Sequence, residues 1–227
     1  MTGVLDGRIA LVTGAARGLG RTIVDHYARA GARGIGFDLR PPAMNFPAGW
    51  TAVAGNVCRE SDLESAFATC IEQYGRLDIV VANAGVVPPW RETEFLDLEE
   101  WRRVFDINVL GVTATIKHAV PRLRKSGGSI VVMGSLNSQR AHPQQCLYTA
   151  TKHAVLGIVR ATAQDLGRYG IRVNALGPGP VATEALVERV TARAAEGQPS
   201  MKSKSLMKRQ GIYLQYEQRV HLFMSCS

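Results

Sequence analysis

At 227 residues, with 46% hydrophobic and 20% charged positions, the chain has the make-up of one globular domain with a full core. No apolar run approaches the length of a membrane span, and the apolar stretch in "MTGVLDGRIALVTG" (1–14) is too short for a secretory leader and is broken by Asp6, so a cytoplasmic location is expected. The formal charge is +8, and residues 201–227, with five Lys or Arg against one Glu, supply half of it; a solvated basic tail is expected there rather than a nucleic-acid arm.

In chain order, short apolar runs alternate with helical patterns. "RIALV" (8–12) reads as a strand, and residues 18–30 read as a helix with apolar spacing near 3.6. "GIGF" (34–37) is a second strand, weakened by its glycines, and "WTAVAG" (50–55) a third. A helix is expected over 61–74, with Ser61 and Glu64 at capping-box spacing. "LDIVVANAG" (77–85) is a strand ending in a glycine turn, and 98–125 is helical with Asn108 and Gly111 inside it. "GSIVVMGS" (128–135), a helix over 148–169 and "IRVNAL" (171–176) complete the pattern. Continuous apolar strands alternating with helices predict an α/β fold: a doubly wound parallel sheet, Rossmann-like, with helices on both faces. Ligands of such sheets bind beyond the carboxyl ends of the strands, where the turns 13–20, 82–85, 134–138 and 177–180 fall.

The cysteines Cys58, Cys70, Cys146 and Cys226 form no Cys-x-x-Cys, and the five histidines form no His-Glu-x-x-His. No metal site is expected, and the thiols are expected to be reduced.

"TGAARGLG" (13–20) joins the first strand to the first helix. Gly14, Gly18 and Gly20 lack Cβ atoms, so the backbone can approach a pyrophosphate at the helix start, where amides and dipole favour an anion. Asp38 ends the second strand, eighteen residues after Gly20. An acid there accepts hydrogen bonds from ribose hydroxyls and repels a 2′-phosphate, which favours NAD over NADP. Arg17 and Arg40 pull the other way, because a guanidinium binds that phosphate.

Tyr148 and Lys152 stand four apart, one turn up the same helix face. Six Tyr and six Lys would produce that spacing by accident in roughly one such chain in six, so it needs support. The support is the order of several motifs: the glycine turn, "NAG" (83–85), Asn108, Ser135 thirteen residues before Tyr148, Lys152, and "PGPVAT" (178–183). Together they resemble the short-chain dehydrogenase/reductase family over roughly residues 6–200.

The resemblance implies that Tyr148 is the acid–base residue and that Ser135 hydrogen-bonds the substrate oxygen, with Ser138 a rival. It implies that Lys152 binds the nicotinamide ribose and lowers the pKa of Tyr148, and that Asn108 holds a water linking Lys152 to solvent. Asn108 has a plainer reading too, as a helix-interior amide satisfied by backbone. Moving a phenol from about 10 to near neutrality takes about 4 kcal/mol, which Lys152 and an oxidised nicotinamide ring can supply as two cations. The cofactor residues implied are Gly14, Arg17, Gly18, Leu19, Gly20, Asp38, Asn56, Val57, Asn83, Ala84, Gly85, Tyr148, Lys152, Pro178, Gly179, Val181 and Thr183. The substrate residues are Ser135, Tyr148, Trp90 and Gln145, beside apolar candidates Val87, Pro88, Pro89, Leu136, Cys146 and Leu186, with Gln144 as a further hydrogen-bonding residue. No charge is expected to face the site, Arg140 excepted.

Two departures stand out. Asn56 replaces the family's usual Asp at the end of the third strand. Beyond residue 200 the family's closing segment is absent, so its final strand is expected to be missing or replaced; alternatively 211–225 forms its own edge strand. The expected organisation is one dinucleotide-binding and catalytic domain over 1–200 and an atypical tail over 201–227. The expected activity is NAD(H)-dependent interconversion of a secondary alcohol and a ketone in a homodimer, with a homotetramer as the alternative. A non-catalytic NAD-binding or interaction protein, impaired by its altered end, is the rival.

Overall fold

The run Ile9–Thr13 is buried along its whole length and forms the central strand β1. Around it, in the computed structural model, lie β2 (Arg33–Asp38), β3 (Trp50–Ala54), β4 (Ile79–Ala82), β5 (Gly128–Met133) and β6 (Ile171–Gly177). The structure describes residues 3–39, 46–181, 191 and 221–223. The sheet order is β3-β2-β1-β4-β5-β6-β7, and β1 to β6 are all parallel. The last strand, β7 (His221–Phe223), lies inside the segment 211–225 and runs antiparallel to β6.

The helices are α1 (Gly18–Arg29), α2 (Glu60–Tyr74), α3 (Leu98–Phe105), α4 (Gly111–Leu123) and α5 (Cys146–Gly167). One face of the sheet packs Leu11, Phe37 and Ile130 against Phe67 of α2, Ile116 of α4 and Val155 and Val159 of α5. The other face packs Val12 and Val81 against Val24 of α1. Alternate side chains of a strand point to opposite faces, so a strand covered on both sides is apolar throughout. That holds for β1 but not at the flanks. In β6 burial alternates, with Arg172 exposed between Ile171 and Val173, and β3 alternates likewise after Trp50.

Two local expectations are corrected. The Ser61–Glu64 capping box does not form. The helix begins earlier, with Arg59 at its N-cap and Glu60 and Asp62 as acids in the first turn. Ser61 is already helical, and the Asp62 carboxylate accepts the Asn56 N–H at 2.9 Å instead. The segment 98–125 is not one regular helix: a π-turn, Asp106–Leu110, separates α3 from α4. The chain order reverses between β1, which leads back to β2, and β4, which leads on to β5. The crevice at such a switch point is where this class of sheet binds ligands.

Candidate active site

The turn after β1 is shaped by contacts as much as by flexibility. Gly14 has φ +66°, and a Cβ there would stand 2.8 Å from Ala84 Cα. A Cβ on Gly20 would stand 2.0 Å from the Gly14 carbonyl oxygen. Only glycine lets α1 start this close to the strand ends. Asn83 closes the turn from β4, donating from Nδ2 to the carbonyls of Thr13 (3.0 Å) and Gly14 (3.1 Å). Thr13 Oγ1 accepts the N–H groups of Asn83 and Ala84. Gly85 follows, so close to Asn108 that a Cβ would lie 3.2 Å from its Oδ1.

Helix α1 starts at Gly18 with φ +55° and continues through Leu19 and Gly20. Arg17, the exposed N-cap, gives it no side-chain cap, and no acid lies in its first turn. At the end of β2, Asp38 Oδ2 accepts the Ala16 N–H at 2.9 Å, so the carboxylate is held against the same turn. Asn56 Oδ1 accepts the Cys58 N–H at 2.9 Å, and Val57 is buried against Gly111 of α4.

Asn108 sits in the π-turn, fully buried. Its Oδ1 accepts the Val86 N–H and its Nδ2 donates to the Val86 carbonyl, both at 2.8 Å. The same Nδ2 lies 3.4 Å from Thr151 Oγ1, one residue before Lys152. The amide is therefore satisfied by backbone and ties the β4 exit to α5. Single π-turns inside α-helices are frequent at functional sites.

Ser135 follows β5 and caps a single 3₁₀ turn, Leu136–Ser138. Its Oγ accepts the Asn137 N–H, and Ser138 Oγ accepts the Ser135 N–H, each at 3.2 Å. The Leu136 N–H reaches the Pro178 carbonyl, so the "PGP" turn leans on this corner, with Gly179 3.6 Å away from Leu136 when given a Cβ. Val181 is 41% exposed, and Thr183, Leu186 and Arg40 lie outside the described residues.

Tyr148 and Lys152 share the first turns of α5. Lys152 is buried, its Nζ 5.7 Å from the centre of the Tyr148 ring and 2.7 Å from the Met133 carbonyl, to which it donates. Burial pushes its pKa from 10.5 down to about 8. Tyr148 is half-buried and lines a shallow cleft, partly open to solvent, with Pro88, Pro89, Trp90, Gln144 and Gln145. The cleft also takes in Leu96, Leu147 and an ion pair, Arg91 with Glu100 at 3.2 Å. The expectation of an uncharged wall is corrected on that point, while Arg140 is exposed and Val87, Leu136 and Cys146 do not line the cleft.

Residues 14–224 match the family model described as enoyl-(acyl carrier protein) reductase. Over 188 residues the chain is 38% identical to short-chain dehydrogenase reductase 4 of Arabidopsis thaliana, covering 79% of this chain and 63% of that protein. The chain belongs to the short-chain dehydrogenase/reductase family. It spans less than two thirds of the Arabidopsis protein's length. L-fucose dehydrogenase of Rattus norvegicus is 35% identical over 185 residues, 80% of this chain and 68% of that one. Among solved structures, carveol dehydrogenase from Mycobacterium avium in complex with NAD superposes with a TM-score of 0.81 at 32% identity, over 92% of this chain and 84% of that one.

The residues present fit a dinucleotide of the kind this family's fold implies. The first turn of α1 has no side-chain cap and no acid, and Gly14 and Gly20 let it pack directly against the ends of β1 and β4. Asp38 stands at the end of β2 beside that turn. Among the described residues no helix is long and apolar enough to cross a membrane, and no His, Cys, Asp and Glu cluster suits a metal. Sequence reasoning missed Thr13, Asn137, Thr149, Arg91 and Glu100. Thr13 had a readable signal, being a hydroxyl beside the first glycine of the turn; the others meet only through the fold.

Proposed function

We propose that the protein is an NAD(H)-dependent oxidoreductase that interconverts a secondary alcohol and a ketone. The observation that carries this reading is the buried Lys152 ammonium 5.7 Å from the Tyr148 ring, with Tyr148 in the wall of a cleft. A cation held there favours the ionised phenol, so Tyr148 Oη donates a proton to a carbonyl oxygen in one direction and takes it back in the other. Ser135 is assigned to hold that oxygen. Its hydroxyl accepts from Asn137 and keeps its own proton to donate, whereas Ser138 is more deeply buried and accepts from the Ser135 N–H.

The nicotinamide, when bound, supplies the hydride acceptor or donor. Gly14, Arg17, Gly18, Leu19 and Gly20 are assigned to its pyrophosphate, Asp38 to the adenosine ribose, and Asn56 and Val57 to the adenine. Asn83, Ala84 and Gly85 line its cleft. Lys152 and Tyr148 are assigned to the second ribose, and Pro178, Gly179, Val181 and Thr183 to the carboxamide. NAD is favoured over NADP because Asp38 faces the turn at the end of β2. Asn108 is assigned to shape the Lys152 surroundings, supported by its hydrogen bond to the neighbouring Thr151.

Residues 1–200 are read as one dinucleotide-binding and catalytic domain and 201–227 as an atypical tail from which β7 joins the sheet, in a cytoplasmic homodimer. The deciding experiment follows the absorbance of reduced nicotinamide with a panel of ketones, and of the oxidised form with alcohols. Turnover with NADH supports the reading. Binding of NADH without turnover of any carbonyl would replace it with the rival, a catalytically impaired NAD-binding protein.

A further inference from the structure

Gln145 stands in the cleft wall with its orientation already decided. Its Oε1 accepts from Asn137 Nδ2 at 2.9 Å. Asn137 is 6% exposed, and the other proton of the same amide goes to Thr149 Oγ1, also at 2.9 Å. The Asn137 backbone is fixed in turn by its N–H on Ser135 Oγ. Both donors of the Asn137 amide are thus in use, and one end of the Gln145 amide is anchored. The other end, Nε2, has no hydrogen-bond partner among the described residues, and Gln145 lines the cleft.

The backbone beside it is also held. Gln144 has φ +62°, the one non-glycine with positive φ among the described residues. Such a conformation persists where the surroundings over-determine it, and such positions cluster at ligand sites. Here the Gln144 carbonyl accepts the Arg91 N–H at 2.9 Å, tying the residue to the opposite lip of the cleft.

The rest of the wall narrows the ligand. Pro88, Pro89, Trp90 and Leu147 are apolar, and Arg91 and Glu100 neutralise each other. Gln145 is the N-cap of α5, and Tyr148, three residues on, lines the same cleft.

We propose that Gln145 determines substrate specificity, positioned by Asn137 as a fixed donor to a second oxygen of the substrate. The substrate class is then a neutral ketone or alcohol with another oxygen within a few bonds of the reacting carbon: a hydroxyketone, a diketone or a vicinal diol. The proposal rests on the oxidoreductase reading above.

The test compares butan-2-one, 3-hydroxybutan-2-one and butane-2,3-dione as substrates with NADH. The wild-type protein is expected to favour the two oxygen-bearing ketones in kcat/KM. Gln145→Met should reduce that preference roughly tenfold, the size of one lost hydrogen bond. Gln145→Glu keeps an acceptor but loses the donor, so it should lose butane-2,3-dione selectively, since a hydroxyl can still donate to the carboxylate. Asn137→Leu should blunt the same preference, because a positioning loss changes the ratio between substrates while a general structural loss lowers all three together. Quenching of the Trp90 fluorescence by each ketone reads binding without turnover and should rank them the same way.

An unchanged preference in Gln145→Met overturns the proposal, as does a wild type that treats all three alike. If Asn137→Leu does not fold, the two Gln145 variants decide. No NADH oxidation with these or with the wider panel removes the oxidoreductase reading, and this one with it; turnover without preference removes this one alone.

Discussion

The Lys152 ammonium donates to the Met133 carbonyl across 2.7 Å, tying helix α5 to the end of β5. The same burial that shapes this contact pushes the amine to about 8 from 10.5. The unfolded chain keeps the proton up to about 10.5, while the folded chain releases it near 8. Between those values the unfolded state binds more protons, so stability rises with pH through that window. The change is of the order of 3 kcal/mol. Lys152→Met lacks the titration. Urea unfolding of both proteins near each end of the window should show the variant's relative stability falling as pH rises. A gap independent of pH would reject the buried ammonium.

Tyr148→Phe removes one oxygen from a residue that stays in the cleft wall. Turnover should fall about 10²–10⁴-fold, the usual share of a positioned acid or base, while NADH affinity stays near wild type. Wild-type-like turnover would end the acid–base assignment.

Asp38→Ala should shift the NAD/NADP ratio of catalytic efficiencies toward NADP, because the carboxylate beside Ala16 no longer repels a 2′-phosphate. Steady-state kinetics with both cofactors measures it, and an unchanged ratio counts against the ribose role.

Two glycines should respond in opposite senses. In Gly20→Ala the new Cβ meets the Gly14 carbonyl, so thermal unfolding should show a loss of about 1–3 kcal/mol even without cofactor. Gly157, on α5, has open space around it, and Gly157→Ala should gain up to about 1 kcal/mol of helix propensity. Equal effects would mean that the turn tolerates a Cβ.

Asn108→Leu leaves both the N–H and the carbonyl of Val86 without their partner. Denaturant unfolding should register a loss of about 2–3 kcal/mol. A loss below ~0.5 kcal/mol would show that water replaces the amide.

Much of the fold was legible because its signals are local. The apolar run of β1 and the 3.6-residue spacing of α1 place both elements to within a residue of where the structure has them. Tyr148 and Lys152 share a helix because their spacing is a helical one. What stayed hidden is tertiary. The α2 capping box was misread because Asp62, not Ser61, meets a nearby N–H, that of Asn56. The bracket of Asn137 on Gln145 and Thr149 joins residues that no periodicity links. The Arg91–Glu100 pair spans two segments that read separately as loop and helix. The π-turn shows in composition only as an amide and a glycine in an apolar helical pattern.

A π-turn carries an extra residue per loop of the spiral. Excising any single position from 106–110 would let a regular coil run straight through. Everything downstream would stay close to its present register, because the extra residue is what the wide turn absorbs, so Val112, Ile116 and Ala119 would keep facing the core. A one-residue shortening here should therefore spare the packing of α4 and cost the aim of Asn108 at Val86.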